Sequence, residues 1–202
     1  MNETSMMRRK ALGALCSLAL AGAPVGSRAA TPFYSLPLSS KDWHKGFRLT
    51  DLHGHTKTPQ DYRGNVLLLF FGFLSCPSIC STTMLELTQA KERVGAQKDK
   101  VKILFVTLDP NRDTSPTIAR WLASFGDDNI GLRDSEAHVR KAATALNLKY
   151  ERVEGDVPGA YAIDHGVQTY VFDPQGRLRL IARAGIEPEY VAKDIVQLLS
   201  GR

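Results

Sequence analysis

Cysteine is scarce, with three in 202 residues at positions 16, 76 and 80. That excludes a small disulfide-stapled scaffold, which spends a far larger share of its residues on cystine. Long apolar runs are missing too. Ala11 to Ala23 counts 13 residues, well short of the about 20 that a membrane-spanning helix needs. There is no internal repeat and no low-complexity tract, which excludes solenoids and collagen-like chains. A strong charge of one sign is absent from the body of the chain. The net charge is +5, but Arg8, Arg9, Lys10 and Arg28 against Glu3 place three of those charges in the first 29 residues, leaving +2. Nothing in that balance argues for a nucleic-acid partner. What remains, 43% hydrophobic and 23% charged residues, is the composition of one soluble globular domain.

Met1 to Ala29 reads as a secretory signal. Arg8-Arg9-Lys10 forms the positive region, Ala11 to Ala23 the apolar region, and Ser27-Arg28-Ala29 a small-x-small cleavage site. The paired arginines also resemble a twin-arginine signal. By this reading the mature chain is exported, by a Sec or twin-arginine route, to a bacterial periplasm. An uncleaved leader would instead anchor it in the inner membrane facing the periplasm. Residues 30–44 contain Pro32, Pro37 and several serines with no period, and read as a linker or loosely ordered arm. Residues 45–202 then form the folded domain.

The chain is organised around Asn65 to Met84, NVLLLFFGFLSCPSICSTTM. Val66 to Leu74 is almost unbroken apolar sequence, which predicts a strand buried on both faces, central in a parallel sheet. It runs into Cys76-Pro77-Ser78-Ile79-Cys80 and then a helical segment. Two thiols at a helix N-terminus are expected to have lowered pKa values. Four residues apart on a first helical turn, both sulfurs lie on one face. From there they can share a metal ion, close a disulfide or work as a redox dithiol. Three intervening residues are one more than a dithiol enzyme usually has.

Further along, Phe47-Arg48-Leu49 predicts a short strand and Gly54 a hairpin turn, in which His53 and His55 read as solvated. Thr82 to Gln97 predicts a helix, and Val101 to Leu108 a second buried strand ending in Asp109-Pro110-Asn111-Arg112-Asp113. Carboxylates thus stand at the carboxyl end of a sheet strand, where open α/β sheets place their sites. Ser115-Pro116 opens a helix through Trp121 and Phe125, with Ser115 as its cap, and Ser135-Glu136 another through Leu146. Tyr150 to Val153 predicts an edge strand, and Ala160 to Ile163 and Val167 to Phe172 two more around Asp164-His165. Asp173-Pro174-Gln175-Gly176 is a hairpin turn before the strand Leu178 to Ala182, and Glu187-Pro188 opens a last helix with Val191, Ile195, Val196 and Leu199 on its packing face. The fold class is α/β, with a thioredoxin-like order carrying an added N-terminal β-hairpin and inserted helix and hairpin elements.

Two thiolates can hold Cu(I), and a neutral imidazole would complete a trigonal site. His44 and His138 read as solvated. His165 lies in a predicted loop that could reach the central strand, and spacing alone leaves it open between ligand and surface residue. Here the residues carry a resemblance. Gly72-Phe73-Leu74-Ser75-Cys76-Pro77-Ser78-Ile79-Cys80, Leu108 to Thr114 and Ile163-Asp164-His165, in that order, resemble the Sco/SenC family of thioredoxin-like copper-binding proteins, which assist assembly of the copper centre of cytochrome c oxidase. The resemblance covers roughly residues 45 to 200. It implies copper as cofactor, Cys76, Cys80 and His165 as its ligands, and Asp109 as a supporting or docking residue. It also implies an acceptor cuproprotein as partner, a cytochrome c oxidase subunit, alongside a thiol reductant or another copper carrier. A membrane partner enters only if the leader stays uncleaved. Ser78 and Ser81 depart from the acidic residue and the proline frequent there in the family. The alternative function is a thiol–disulfide oxidoreductase, with Cys76 attacking and Cys80 resolving.

Overall fold

The computed structural model describes residues 32–157 and 159–202. The leader reading falls outside these residues. Among the described residues no helix is long and apolar enough to cross a membrane.

The central strand forms where the apolar run predicts it. The elements in chain order are β1 (Leu36–Pro37), β2 (Leu49–Thr50), β3 (Thr56–Lys57), β4 (Val66–Gly72), α1 (Ile79–Arg93), β5 (Val101–Thr107), α2 (Ser115–Ala123), β6 (Ile130–Leu132), α3 (Glu136–Ala145), β7 (Tyr150–Glu154), β8 (Tyr161–His165), β9 (Thr169–Phe172), β10 (Leu178–Ala182) and α4 (Pro188–Leu199). Six strands make the main sheet, in the order β1-β10-β9-β4-β5-β6. Every residue of β4 is buried, which is why its sequence shows no alternation. It pairs parallel with β5 from Val66↔Val101 to Gly72↔Thr107, but antiparallel with β9 from Leu67↔Phe172 to Phe70↔Thr169. The sheet is therefore mixed rather than parallel, because β9 and β10 form a hairpin on one side. Asp173 fixes that hairpin's turn, accepting the backbone N–H groups of Gln175 and Arg177 at 3.0 Å each, while Gly176 takes φ +76°.

The helices cap as their sequences direct, with shifts of a residue or two. Ser135 caps α3 by accepting His138 N–H. The cap of α2 is Thr114 rather than Ser115, accepting Thr117 N–H and leaving Ser115-Pro116 as the first helical residues. On α4, Val191 and Ile195 are buried with Ala192 and Leu198, whereas Val196 is 42% exposed, one position off the stripe that packs beside α1. β2 and β3 form the expected N-terminal hairpin, tied to β6 by the Asp51–Leu132 bridge and by Arg133 N–H to Thr50 O at 2.8 Å. His53 and His55 sit exposed in its turn, their N–H groups donating to Asp51 Oδ1 at 2.9 Å.

Two segments behave differently from the sequence reading. Residues 32–44 are not a loose arm. β1 pairs with β10, and buried Asp194 on α4 accepts the N–H groups of Tyr34 and Ser35 at 2.8 and 2.7 Å. One carboxylate satisfying two consecutive backbone donors pins an extended segment that has no periodicity to announce it. The β7 segment is not an edge of the main sheet either. It pairs only with β8, from Tyr150↔His165 to Glu154↔Tyr161, as a separate two-stranded sheet.

Candidate metal centre

The site gathers at the carboxyl end of β4. Helix α1 begins only at Ile79, so Cys80 lies in its first turn while Cys76 sits in the preceding loop, not on the helix as the spacing suggested. Cys76 is half-buried, Cys80 is 1% exposed, and both are free thiols. The helix end does not lower the Cys80 pKa. Burial pushes its thiol up to about 12, reinforced by the neighbouring Cys76 thiol and the Asp113 carboxylate, while a hydrogen bond with the Phe73 backbone works the other way. Desolvation of a buried sulfur outweighs the partial charge of a helix end.

Gly72 makes the close packing possible. A Cβ built there would stand 2.9 Å from Cys80 Sγ and 3.0 Å from carbons of Phe70 and Phe105. The strand ends in glycine because the sulfur occupies the space that a side chain would take.

His165 is the last residue of β8 rather than a loop residue, and its ring reaches Cys80. Its Nε2 stands 3.8 Å from Cys80 Sγ. Its Nδ1 lies 2.8 Å from Gly166 O. A carbonyl can only accept, so Nδ1 carries the hydrogen and Nε2 presents its lone pair to the sulfur. Burial lowers the His165 pKa, opposed by the Gly166 contact and the Asp164 charge, and the neutral imidazole is the ligating form. The ring packs edge-on to Phe73 at 5.8 Å and near Phe70 at 6.4 Å. With metal bonds of about 2.3 Å to sulfur and 2.0 Å to nitrogen, two donors sharing one ion stand about 3.5 Å apart at a tetrahedral angle and about 3.7 Å at a trigonal one. The observed separation fits. Among the described residues no three His, Cys, Asp or Glu side chains are already gathered as a metal cage, while the Cys76 thiol lies beside Cys80 within hydrogen-bonding reach.

The Asp109–Asp113 loop supports both halves. Asp113, 2% exposed, accepts Leu74 N–H at 3.1 Å and the Thr107 hydroxyl at 2.6 Å, fastening the cysteine loop to the end of β5. Its burial raises its pKa, with the Thr107 and Leu74 hydrogen bonds opposing. Sequence reasoning gave Asp113 no role of its own, although it stands among the flagged carboxylates after β5. Arg133 props the loop by donating to Asp113 O and Pro110 O at 2.8 Å. Asp109 is buried, with its carboxylate taken up by Arg112 and by the Tyr161 hydroxyl at 2.7 Å.

A thioredoxin-like α/β domain with two cysteines at a strand–helix junction and a histidine brought against one of them carries the donor types that soft metals and dithiol chemistry use. The chain belongs to the SCO1/SenC family, whose sequence model matches residues 37–200. It is 33% identical over 156 residues to a SCO2-like protein of Rickettsia felis, covering 77% of this chain and 74% of that one. Several other curated relatives are matched over between 50% and 66% of their own length. It also resembles Bradyrhizobium japonicum ScoI, solved with copper bound, at 32% identity and TM-score 0.66 over 74% of this chain and 95% of that one. Apo Sco1 of Thermus thermophilus is 31% identical with TM-score 0.71, over 86% and 98%.

Proposed function

We propose that this protein is an exported copper chaperone. It holds one Cu(I) through Cys76, Cys80 and His165 and passes it to a cuproprotein, the copper centre of cytochrome c oxidase. The observation that carries the reading is the neutral His165 Nε2 aimed at Cys80 Sγ from 3.8 Å, because soft sulfur and imidazole donors select Cu(I) over hard cations. Family membership and a copper-bound relative at 32% identity support it. Half-exposed Cys76 leaves one side open for ligand exchange with an acceptor. We place the mature chain in a bacterial periplasm on the strength of its leader sequence.

An anaerobic Cu(I) titration of the reduced protein tests the assignment. One copper should bind per chain, lost in Cys76→Ser and Cys80→Ser and weakened about 10–100-fold in His165→Ala. Parent-like binding by all three variants would sink it.

A thiol–disulfide exchange role draws on the same two free thiols, one accessible and one buried behind it. Cys76 thiolate would attack a client disulfide to give a mixed disulfide. Cys80 would then displace the client as a dithiol and leave this chain oxidised as Cys76–Cys80. Insulin reduction at thioredoxin-like rates would favour this role. Reducing an acceptor's thiols and loading its copper are compatible steps.

A further inference from the structure

The two halves of the site reach the domain by different routes. The cysteines follow the central strand. His165 comes on a hairpin that makes no ladder with the main sheet, so something other than strand pairing must hold it in place.

Along β8, Tyr161, Ile163 and His165 point to one face. Ile163 is buried in the core, and Tyr161 stands about 13 Å from His165 along the strand. The Tyr161 ring is sandwiched between two guanidinium groups, Arg112 at 3.6 Å and Arg152 at 3.7 Å from its centroid. Its hydroxyl donates to Asp109 Oδ1 at 2.7 Å, and its backbone carbonyl accepts Arg112 Nη1 at 3.0 Å. Arg112 is in turn paired with Asp109. Arg152 belongs to β7, whereas Asp109 and Arg112 belong to the loop after β5. The stack therefore bolts the hairpin to the body of the domain. Cation–π contacts and a hydrogen bond to a carboxylate are each directional, so the bolt fixes orientation as well as proximity. That same loop holds the cysteine side through Asp113 and Leu74 N–H. Five consecutive residues thus register the histidine half of the site against the cysteine half.

We propose that Tyr161, clamped between Arg112 and Arg152 and hydrogen-bonded to Asp109, is a positioning residue that latches the β7–β8 hairpin to the domain and so holds His165 over Cys80. The copper consequence rests on the three-ligand reading above. The latch itself does not, because none of its contacts involves Cys76, Cys80 or His165.

The test compares the parent with Tyr161→Phe, which removes the hydroxyl bond, and Tyr161→Leu, which also removes the ring from the stack. Amide hydrogen exchange is measured on the reduced, copper-free full chain. Exchange in residues 161–165 should quicken about tenfold in Tyr161→Phe and further in Tyr161→Leu, with β4 and β5 amides unchanged. If Tyr161→Leu quickens β4 and β5 as well, it has unfolded the domain, and Tyr161→Phe becomes the deciding variant. Cu(I) affinity is then measured by competition in both His165 and His165→Ala backgrounds. A latch acting through His165 lowers affinity about tenfold in the first and not at all in the second. Unchanged hairpin exchange, or an equal loss of affinity in both backgrounds, overturns the proposal. If His165→Ala alone leaves Cu(I) affinity unchanged, the ligand reading fails, and copper-free exchange still decides the latch.

Discussion

Gly72→Ala puts one methyl group into the most crowded point of the site. The added carbon would meet Cys80 Sγ at 2.9 Å and the rings of Phe70 and Phe105 at 3.0 Å, against an ordinary contact of 3.4 Å or more. The sulfur must retreat by about 0.5 Å, and both rings sit in a core with nowhere to go. Overpacking of this kind costs about 1–3 kcal/mol. Alanine returns up to about 1 kcal/mol by narrowing the unfolded ensemble and favouring the strand. A net loss of about 1–2 kcal/mol should lower Tm by about 2–8 °C in a domain of this size. Thermal and urea unfolding of the reduced, copper-free protein measure it. Moving Cys80 should also weaken Cu(I) binding about tenfold, in the range of other changes that disturb a ligand's support. In a Cys80→Ala background the sulfur contact is gone, so the same substitution should cost less. A Gly72→Ala protein as stable as its parent with unchanged copper affinity would refute the reasoning, and an equal cost in both backgrounds would clear the sulfur of any part in it.

Three further outcomes follow from other groups. The His165 imidazole is held below the ordinary 6.5 by burial, so its stabilising contribution is present above 6.5 and is lost as pH falls through the lower folded value. Its ring should titrate by NMR with a midpoint under 6.5, and a midpoint at or above that contradicts the burial argument. With Cys80 buried and its thiol pushed up to about 12, iodoacetamide at pH 8 should label Cys76 first in the reduced chain; equal labelling would mean that Cys80 is open to solvent. Asp194→Ala strands two backbone donors and should cost about 1–3 kcal/mol. It should expose residues 32–38 to limited proteolysis while leaving Cu(I) affinity intact, and an arm that stays protected would show that β1 pairing alone holds it.

Much of this architecture is legible in the sequence because burial writes directly into composition. β4 is apolar from end to end, β5 is apolar but for Lys102 and its closing Thr107, and Asp173 to Gly176 is turn chemistry. Strand direction is not written that way. The run Val167 to Phe172 looks the same whether β9 lies parallel or antiparallel to β4, so the mixed sheet emerges only from the connection through β10. Nor does β1 show itself, since two residues cannot carry a period and Pro37 argues against any strand but an edge one. At the site, Cys76 and Cys80 stand out by position. His165 stands out only by its order among motifs, because a contact across 85 residues leaves no local trace. Asp113 and Asp109 were equally visible, but which carboxylate turns toward the cysteine loop is decided by the backbone of the turn. A helix N-terminus argues for a lowered Cys80 pKa, and the burial that raises it instead, with the sulfur packed beneath Gly72, leaves no trace in the local sequence.

Val66 to Gly72 carries a cost outside the finished fold. Seven consecutive residues without charge or proline have the composition of a segment that stacks with copies of itself when its edges are free. Its proper neighbours lie far along the chain, β5 from Val101 and β9 from Thr169, so both are made after it. Until they arrive, neighbouring unfolded molecules compete for the same hydrogen bonds. Refolding yield should then fall as protein concentration rises, and the strand that anchors the cysteines is also where misassembly would begin.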